Sequence, residues 1–264
     1  ALELLPAAAY TNSRMAAAVT ALAKGAGDAN VRLGALRSVA RAYKGKPEAS
    51  SCLIAALSDP HADCRSLALK ALPESGWKAE EHVQELVACI DKTSAPAARA
   101  FALRTLMSLD RPPLGHSRFF ARLLDDSDAD IRAMAVLCLD RTGDEAKPHV
   151  KAIAELLADG DLRVRQAAAK LFTRVSAPKN AVPLLIKGLD SDDDKLILLT
   201  LQALMPLAAE AKTAVPRMGQ LALSGSPERT RAALETLIAV GYSAHDALSA
   251  AVDQAPETLR STIL

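Results

Sequence analysis

Few residues of the chain have the types and spacing to do chemistry: four cysteines, five histidines and two runs of aspartate. Cys52, Cys64, Cys89 and Cys138 form no C-x-x-C pair and no paired zinc spacing. Each sits among apolar residues at helical spacing, which reads as small core side chains with free thiols. A disulfide such as Cys52–Cys64 stays open, and the compartment with it. His61, His82, His116, His149 and His245 lie far apart and fall at different places in the chain's periodicity. Exposed or capping roles therefore outweigh a metal site, and no metal is expected. The segments 125–130 and 190–194 share only their acids with calcium loops. Neither has the glycine at the sixth place or the glutamate at the twelfth that such a loop needs. Helix-capping turns fit better, with a weak calcium site as the remaining reading. Phosphate-cradling glycine loops, a G-x-S-x-G elbow and an H-E-x-x-H helix are all missing from the sequence. No catalytic residue and no cofactor is expected.

The elements that hold these residues follow from composition and period. The chain has 264 residues, half of them hydrophobic but only 3% aromatic, which favours Ala- and Leu-packed helices over sheets. Lys+Arg 32 against Asp+Glu 31 gives a net charge of +1, too little to imply a polyanion-binding surface. No apolar run approaches the ~20 residues that span a membrane. The first residue is Ala1, which reads as a processed protein or a piece of a longer one. The compartment is left unknown. The cytoplasm is slightly favoured, with a secreted or periplasmic protein that has lost its signal as the alternative.

One pattern recurs along the chain. Val31-Arg32, Cys64-Arg65, Ala98-Arg99, Ile131-Arg132, Val164-Arg165, Leu196-Ile197 and Thr230-Arg231 step by 33, 34, 33, 33, 32 and 34 residues. Each unit reads as two helices. In the fifth, residues 147–158 carry Val150, Ile153, Leu156 and Leu157 on one face, and a second helix runs from about Leu162 to Val175. Asp28, Asp128, Asp161 and Asp193 stand where a carboxylate accepts from exposed N–H groups at the start of a second helix. Pro60 and Pro96 fit the first turn in the second and third units. Units of this length cannot bury their faces alone, whereas stacked neighbours can.

The units resemble short HEAT repeats. The first helix ends in L-x-D (Leu57-Ser58-Asp59, Leu124-Asp125-Asp126, Leu157-Ala158-Asp159), and an Ala follows the Arg by three (Ala35, Ala68, Ala102, Ala135, Ala168). Pro148, Pro183 and Pro216 lie near the middle or start of first helices. The resemblance implies an all-α, right-handed α-solenoid of about seven antiparallel helix pairs. The units are placed at about 13–46, 47–78, 79–113, 114–145, 146–177, 178–209 and 210–242. Residues 1–12 are assigned to a cap or a preceding helix, and 243–264 to a cap or partial eighth repeat. The resemblance also implies an Asp/Arg ladder across the turns, drawn from Asp59 with Arg65, Asp126 with Arg132, and Asp159 with Arg165. Ile197 stands where the sixth unit's Arg belongs, so the ladder is expected to break there, with a bend as the consequence.

Counted from the apolar residue of each pair, the sixth following position faces away from the buried arc. It reads Arg37, Lys70, Arg104, Leu137, Lys170, Gln202 and Thr236, and one turn on come Arg41, Arg141 and Arg174. In arrays of this family second helices line the concave side, so a basic row is expected there. Solvation alone is a strong reading of it. An acidic protein or peptide is the preferred ligand over nucleic acid, because stacking aromatics are missing from the row. Leu33, Met107, Leu198 and Met205 lend the face an apolar character that suits a protein ligand.

Three function classes follow. The preferred one is a non-catalytic protein-interaction scaffold for an extended or acidic partner, either alone or as an accessory module of a longer chain. The second is a HEAT-like accessory or lyase-type enzyme. Against it, the His-Glu dipeptides of the family's iron hydroxylases do not occur here. The third and least favoured is a nucleic-acid-binding solenoid.

Overall fold

The computed structural model describes residues 13–42, 49–93, 95–110, 114–224 and 226–254. All regular structure among them is helical. The expectations for residues 1–12 and for 255–264 lie outside the described residues. The chain divides into two compact bodies, 1–113 and 114–264.

The first body holds three helix pairs. They are α1 (Ser13–Gly25) with α2 (Ala29–Ala42), α3 (Ser50–Ala56) with α4 (Ala62–Glu74), and α5 (Val83–Lys92) with α6 (Pro96–Ser108). First helices pack on first helices (α1 on α3, α3 on α5), and second helices on second helices (α2 on α4, α4 on α6). The second body repeats the arrangement. Its pairs are α7 (Ser117–Arg122) with α8 (Ala129–Arg141), then α9 (Val150–Glu155) and α10 (Leu162–Phe172), α11 (Val182–Gly188) with α12 (Asp194–Leu204), and α13 (Val215–Ser224) with α14 (Pro227–Val240). The second helices stack in the order α8, α10, α12, α14, and α15 (His245–Gln254) packs on α13 and α14.

The sequence explains these elements locally. Asp28, Asp128, Asp161 and Asp193 cap the second helices, accepting from the N–H groups of Asn30, Asp130, Arg163 and Leu196 at 2.6–2.9 Å. Ser226 caps α14 in the same way, from Arg229 N–H. Pro96 opens α6 at its first position, but Pro60 stands one residue outside the cap of α4, which is His61. Gly143 (φ 60°) and Gly241 (φ 76°, ψ −143°) follow the ends of α8 and α14 at positive φ, which glycine adopts without a Cβ clash. Ala35, Ala68, Ala102, Ala135 and Ala168 are all fully buried, their small side chains letting neighbouring second helices approach. Around them lie Leu36, Leu72, Leu103, Val136, Leu139 and Leu171, each worth ~1.5–3 kcal/mol when withdrawn from water. All four cysteines are free and buried. Burial pushes the Cys138 thiol up to about 12, which makes it an inert core side chain.

First helices differ from the continuous segments expected. In the fifth unit residues Gly143–His149 form a 3-10 turn, α9 begins only at Val150, and Leu156–Ala158 returns to 3-10 geometry. Pro148 lacks the N–H that an α-turn needs there. Pro183 sits in the first turn of α11, where its missing N–H is harmless.

The sixth unit shows a compensated size exchange. Thr200 occupies the fully buried Ala position, and Gly188 faces it from α11. A Cβ on Gly188 would lie 2.9 Å from Thr200 Oγ1 and 3.3 Å from its Cγ2. Gly188→Ala is therefore expected to lose about 1 kcal/mol net, because overpacking costs ~1–3 kcal/mol and the helix regains ~1 kcal/mol. In a Thr200→Ala background the same change is expected to stabilise. Denaturant titrations of the four proteins measure this, and the same sign in both backgrounds would contradict the packing.

Candidate interaction surface

Two ion pairs join a second helix to the turn of the following unit. Arg32 on α2 donates from Nε and Nη2 to both carboxylate oxygens of Asp59, at 2.7 and 2.9 Å. Arg132 on α8 grips Asp159 in the same way, both bonds 2.8 Å. These side chains are largely withdrawn from water (10% and 6% exposed for the first pair, 18% and 7% for the second). The Arg six residues beyond each Asp does something else. Arg65 donates to the backbone carbonyls of Asp59 and Pro60, Arg132 to those of Asp126 and Ser127, and Arg165 to those of Asp159 and Gly160. The ladder therefore pairs side chains 27 residues apart and closes its own turns through carbonyls. Among the described residues Arg65 and Arg165 make no side-chain hydrogen bond to the Asp six residues before them. The distance of 27 is one repeat less the six-residue offset, so the period itself held the information.

The carboxylates respond accordingly. Arg132's hydrogen bond, helped by the Asp161 N–H, holds Asp159 below the usual carboxylate range against the opposing effect of burial. At Asp59 burial is the largest influence and pushes upward, but Arg32 and the His61 N–H together outweigh it and leave the carboxyl low. In the sixth unit Ile197 is fully buried where an Arg would sit. Arg217 of α13 donates to the Leu189 carbonyl and pairs with Asp190 at 2.9 Å. Gln166 meanwhile donates to Asp193 at 2.8 Å.

Most carboxylates of the acidic runs have partners in the protein. Asp126 and Asp128 accept from backbone N–H groups, Asp193 caps α12, and Asp194 pairs with Arg229 at 3.0 Å. Among the described residues no cluster of three or more His, Cys, Asp or Glu is placed to hold a metal ion. No helix among them is long and apolar enough to cross a membrane.

The basic row is only partly assembled. In the first body Arg37, Arg41, Lys70 and Arg104 are exposed on successive second helices. Arg37, Arg41 and Lys70 border a hollow of about 270 Å³ between α2 and α4, floored by Ala40, Leu67 and Ala71 and flanked by Glu74. In the second body Lys170 is exposed, Arg141 is half-buried, and Arg174 is held by Asp140 at 3.0 Å. Thr236, the seventh unit's outward position, is fully buried, its hydroxyl donating to the Ala232 carbonyl at 2.8 Å. Leu33, Met107 and Leu198 are half-buried and Met205 is 38% exposed.

One polar chain has the atoms of an acyl-transfer relay. Ser50 Oγ lies 2.8 Å from His82 Nε2, and His82 Nδ1 lies 3.0 Å from Glu85. With the ring hydrogen on Nδ1, Ser50 donates to Nε2 and Glu85 accepts from the ring. Ser50 is 2% exposed, which keeps its hydroxyl from a substrate. The network ties the start of α3 to α5, with Ser51 donating to the same Glu85 at 2.9 Å. Spacing alone gave no sign of it, because Ser50 and His82 belong to different units.

Comparison with known proteins bears on the fold. A family profile described as HEAT repeats matches residues 117–205. No curated protein matches. A crystal structure of an engineered protein from the Northeast Structural Genomics Consortium superposes with a TM-score of 0.55 at 19% identity, over 93% of this chain and 78% of that one. A second engineered protein from the same consortium gives a TM-score of 0.43 at 17% identity, over 89% and 92%. HEAT repeats serve in general as protein-interaction scaffolds. The profile covers the fourth to sixth units, so residues 117–205 are similar to HEAT repeats, and the fold of the chain is an all-α helical solenoid.

Proposed function

We propose that the chain is a non-catalytic scaffold that binds an acidic, extended protein segment on the face of its second helices. The observation that carries this reading is the exposed row Arg37, Arg41, Lys70 and Arg104 beside an apolar-floored hollow between α2 and α4. Guanidinium and ammonium groups over an apolar floor suit carboxylates carried on a peptide, since the rim supplies charge and the floor supplies burial. Lys70, Arg104 and Lys170 are exposed with no ion-pair partner among the described residues. Nucleic acid is disfavoured by the near-neutral net charge and by the lack of aromatic residues in the row.

The test is a titration of a labelled Glu-rich peptide, beside a DNA duplex, against wild type and a variant with Arg37, Lys70, Arg104 and Lys170 changed to Glu. Saturable peptide binding that weakens at least tenfold in the variant and falls with salt is the expected result. Equal binding by both proteins would overturn it, and tighter binding of the duplex would move the assignment to nucleic acid.

A further inference from the structure

The hollow of about 540 Å³ at the far end of α8 and α10 lies in the size range of small-ligand sites. Its wall includes Asp140, Asp144, Lys147, Val150, Arg174 and Ser176. Asp144 and Lys147 pair with each other at 2.9 Å on the exposed rim. Asp140 is different. It is the next-to-last residue of α8, where the helix's negative end disfavours a carboxylate. Its side chain is 6% exposed. One oxygen accepts from Arg174 Nη1 at 3.0 Å, while Oδ1 is shielded and has no hydrogen-bond partner. A buried carboxylate is normally satisfied at both oxygens, so this one works against folding unless something completes it. Arg174 cannot do so alone. Its side chain is 63% exposed and it reaches Asp140 through a single nitrogen.

We propose that this hollow is a binding site for an alkylammonium or guanidinium group, with Asp140 as the residue that recognises it. A partial turn about χ2 brings the shielded oxygen toward the hollow, where an N–H donor of the incoming group meets it. Val150 lines the passage for an alkyl stem. The incoming cation competes with Arg174. The displaced guanidinium is then free to take an acidic group beside the bound cation, so the ligand recognised best carries both charges side by side. The chemistry is shared by a free amine and by a basic side chain of a protein partner. The site stands independently of the acidic-peptide face, since it needs neither Arg37, Lys70 nor Arg104.

The experiment titrates ¹⁵N-labelled protein with agmatine and, in a second arm, with a blocked Gly-Arg-Glu-Gly peptide. Expected are saturable shifts confined to residues 140–150 and 174–176. In Asp140→Asn the affinity falls at least tenfold while the melting temperature holds or rises. Arg174→Gln, which removes the competing cation, tightens agmatine severalfold. Tighter binding of the peptide assigns the site to a protein-borne side chain, and tighter binding of agmatine assigns it to a free amine. Absence of saturable shifts, or unchanged affinity in Asp140→Asn, would overturn the proposal. So would a large drop in melting temperature in both variants with no change in affinity, which would make the pair structural only.

Discussion

Ala168→Asp is expected to lower stability by on the order of 3 kcal/mol or more. Ala168 is fully buried on α10, which packs against α8 on one side and α12 on the other. The space there admits a methyl group, and a carboxylate would bring both bulk and a charge with no partner among its apolar neighbours. Lys170, two residues on, is exposed. Lys170→Glu is expected to change stability by no more than ~0.5 kcal/mol, the usual range for surface sites. Thermal melts of the two variants beside wild type make the comparison. Equal melting temperatures for Ala168→Asp and wild type would mean that the repeat register is wrong.

Arg132→Met is expected to cost about 3–5 kcal/mol, since it leaves the Asp159 carboxylate, 7% exposed, without its charge partner. It also strips the carbonyls of Asp126 and Ser127 of their donor. Arg132→Met with Asp159→Leu is expected to recover part of the loss but not all, because Asp159 Oδ1 also accepts from Asp161 N–H. The double-mutant cycle isolates the pair's own contribution. The pH dependence has a definite sign. Asp159 is held below its ordinary range in the folded protein, so its stabilisation is complete above the unfolded-state value of about 3.9 and is lost as pH falls through the lower native value. In Arg132→Met burial acts unopposed by Arg132 and favours the neutral acid, so acid relieves the defect. The gap between wild type and variant is therefore expected to narrow below about pH 4. A gap that is constant with pH would show that the loss comes from the carbonyls or from packing.

The helix pairs, the buried Ala positions and the Asp caps were legible because each obeys a rule internal to one helix or one turn. Ala35, Ala68, Ala102, Ala135 and Ala168 recur at one register and are all buried. What the sequence showed poorly depends on neighbours. Asp59 and Arg65 share a turn, so their spacing suggested a pair, yet the carboxylate of Asp59 faces Arg32 of the preceding unit. Thr236 sits at a position that is outward in five of the other units, but α14 carries it into contact with its own Ala232 carbonyl and out of solvent. Arg174 belongs to the basic row by register and to Asp140 by geometry. Asp140 drew no attention in the sequence because nothing about an Asp near a helix end announces that its oxygens are buried.

The scaffold reading is tested most directly by capture from a lysate of the source cells, with wild type beside the protein reversed at Arg37, Lys70, Arg104 and Lys170. Bound proteins and nucleic acid are both identified. A protein with an acidic segment, held by wild type and lost by the reversed variant, is the predicted result. The same proteins retained by both would contradict it, leaving the basic row as a solvated surface and placing the contacts on other faces.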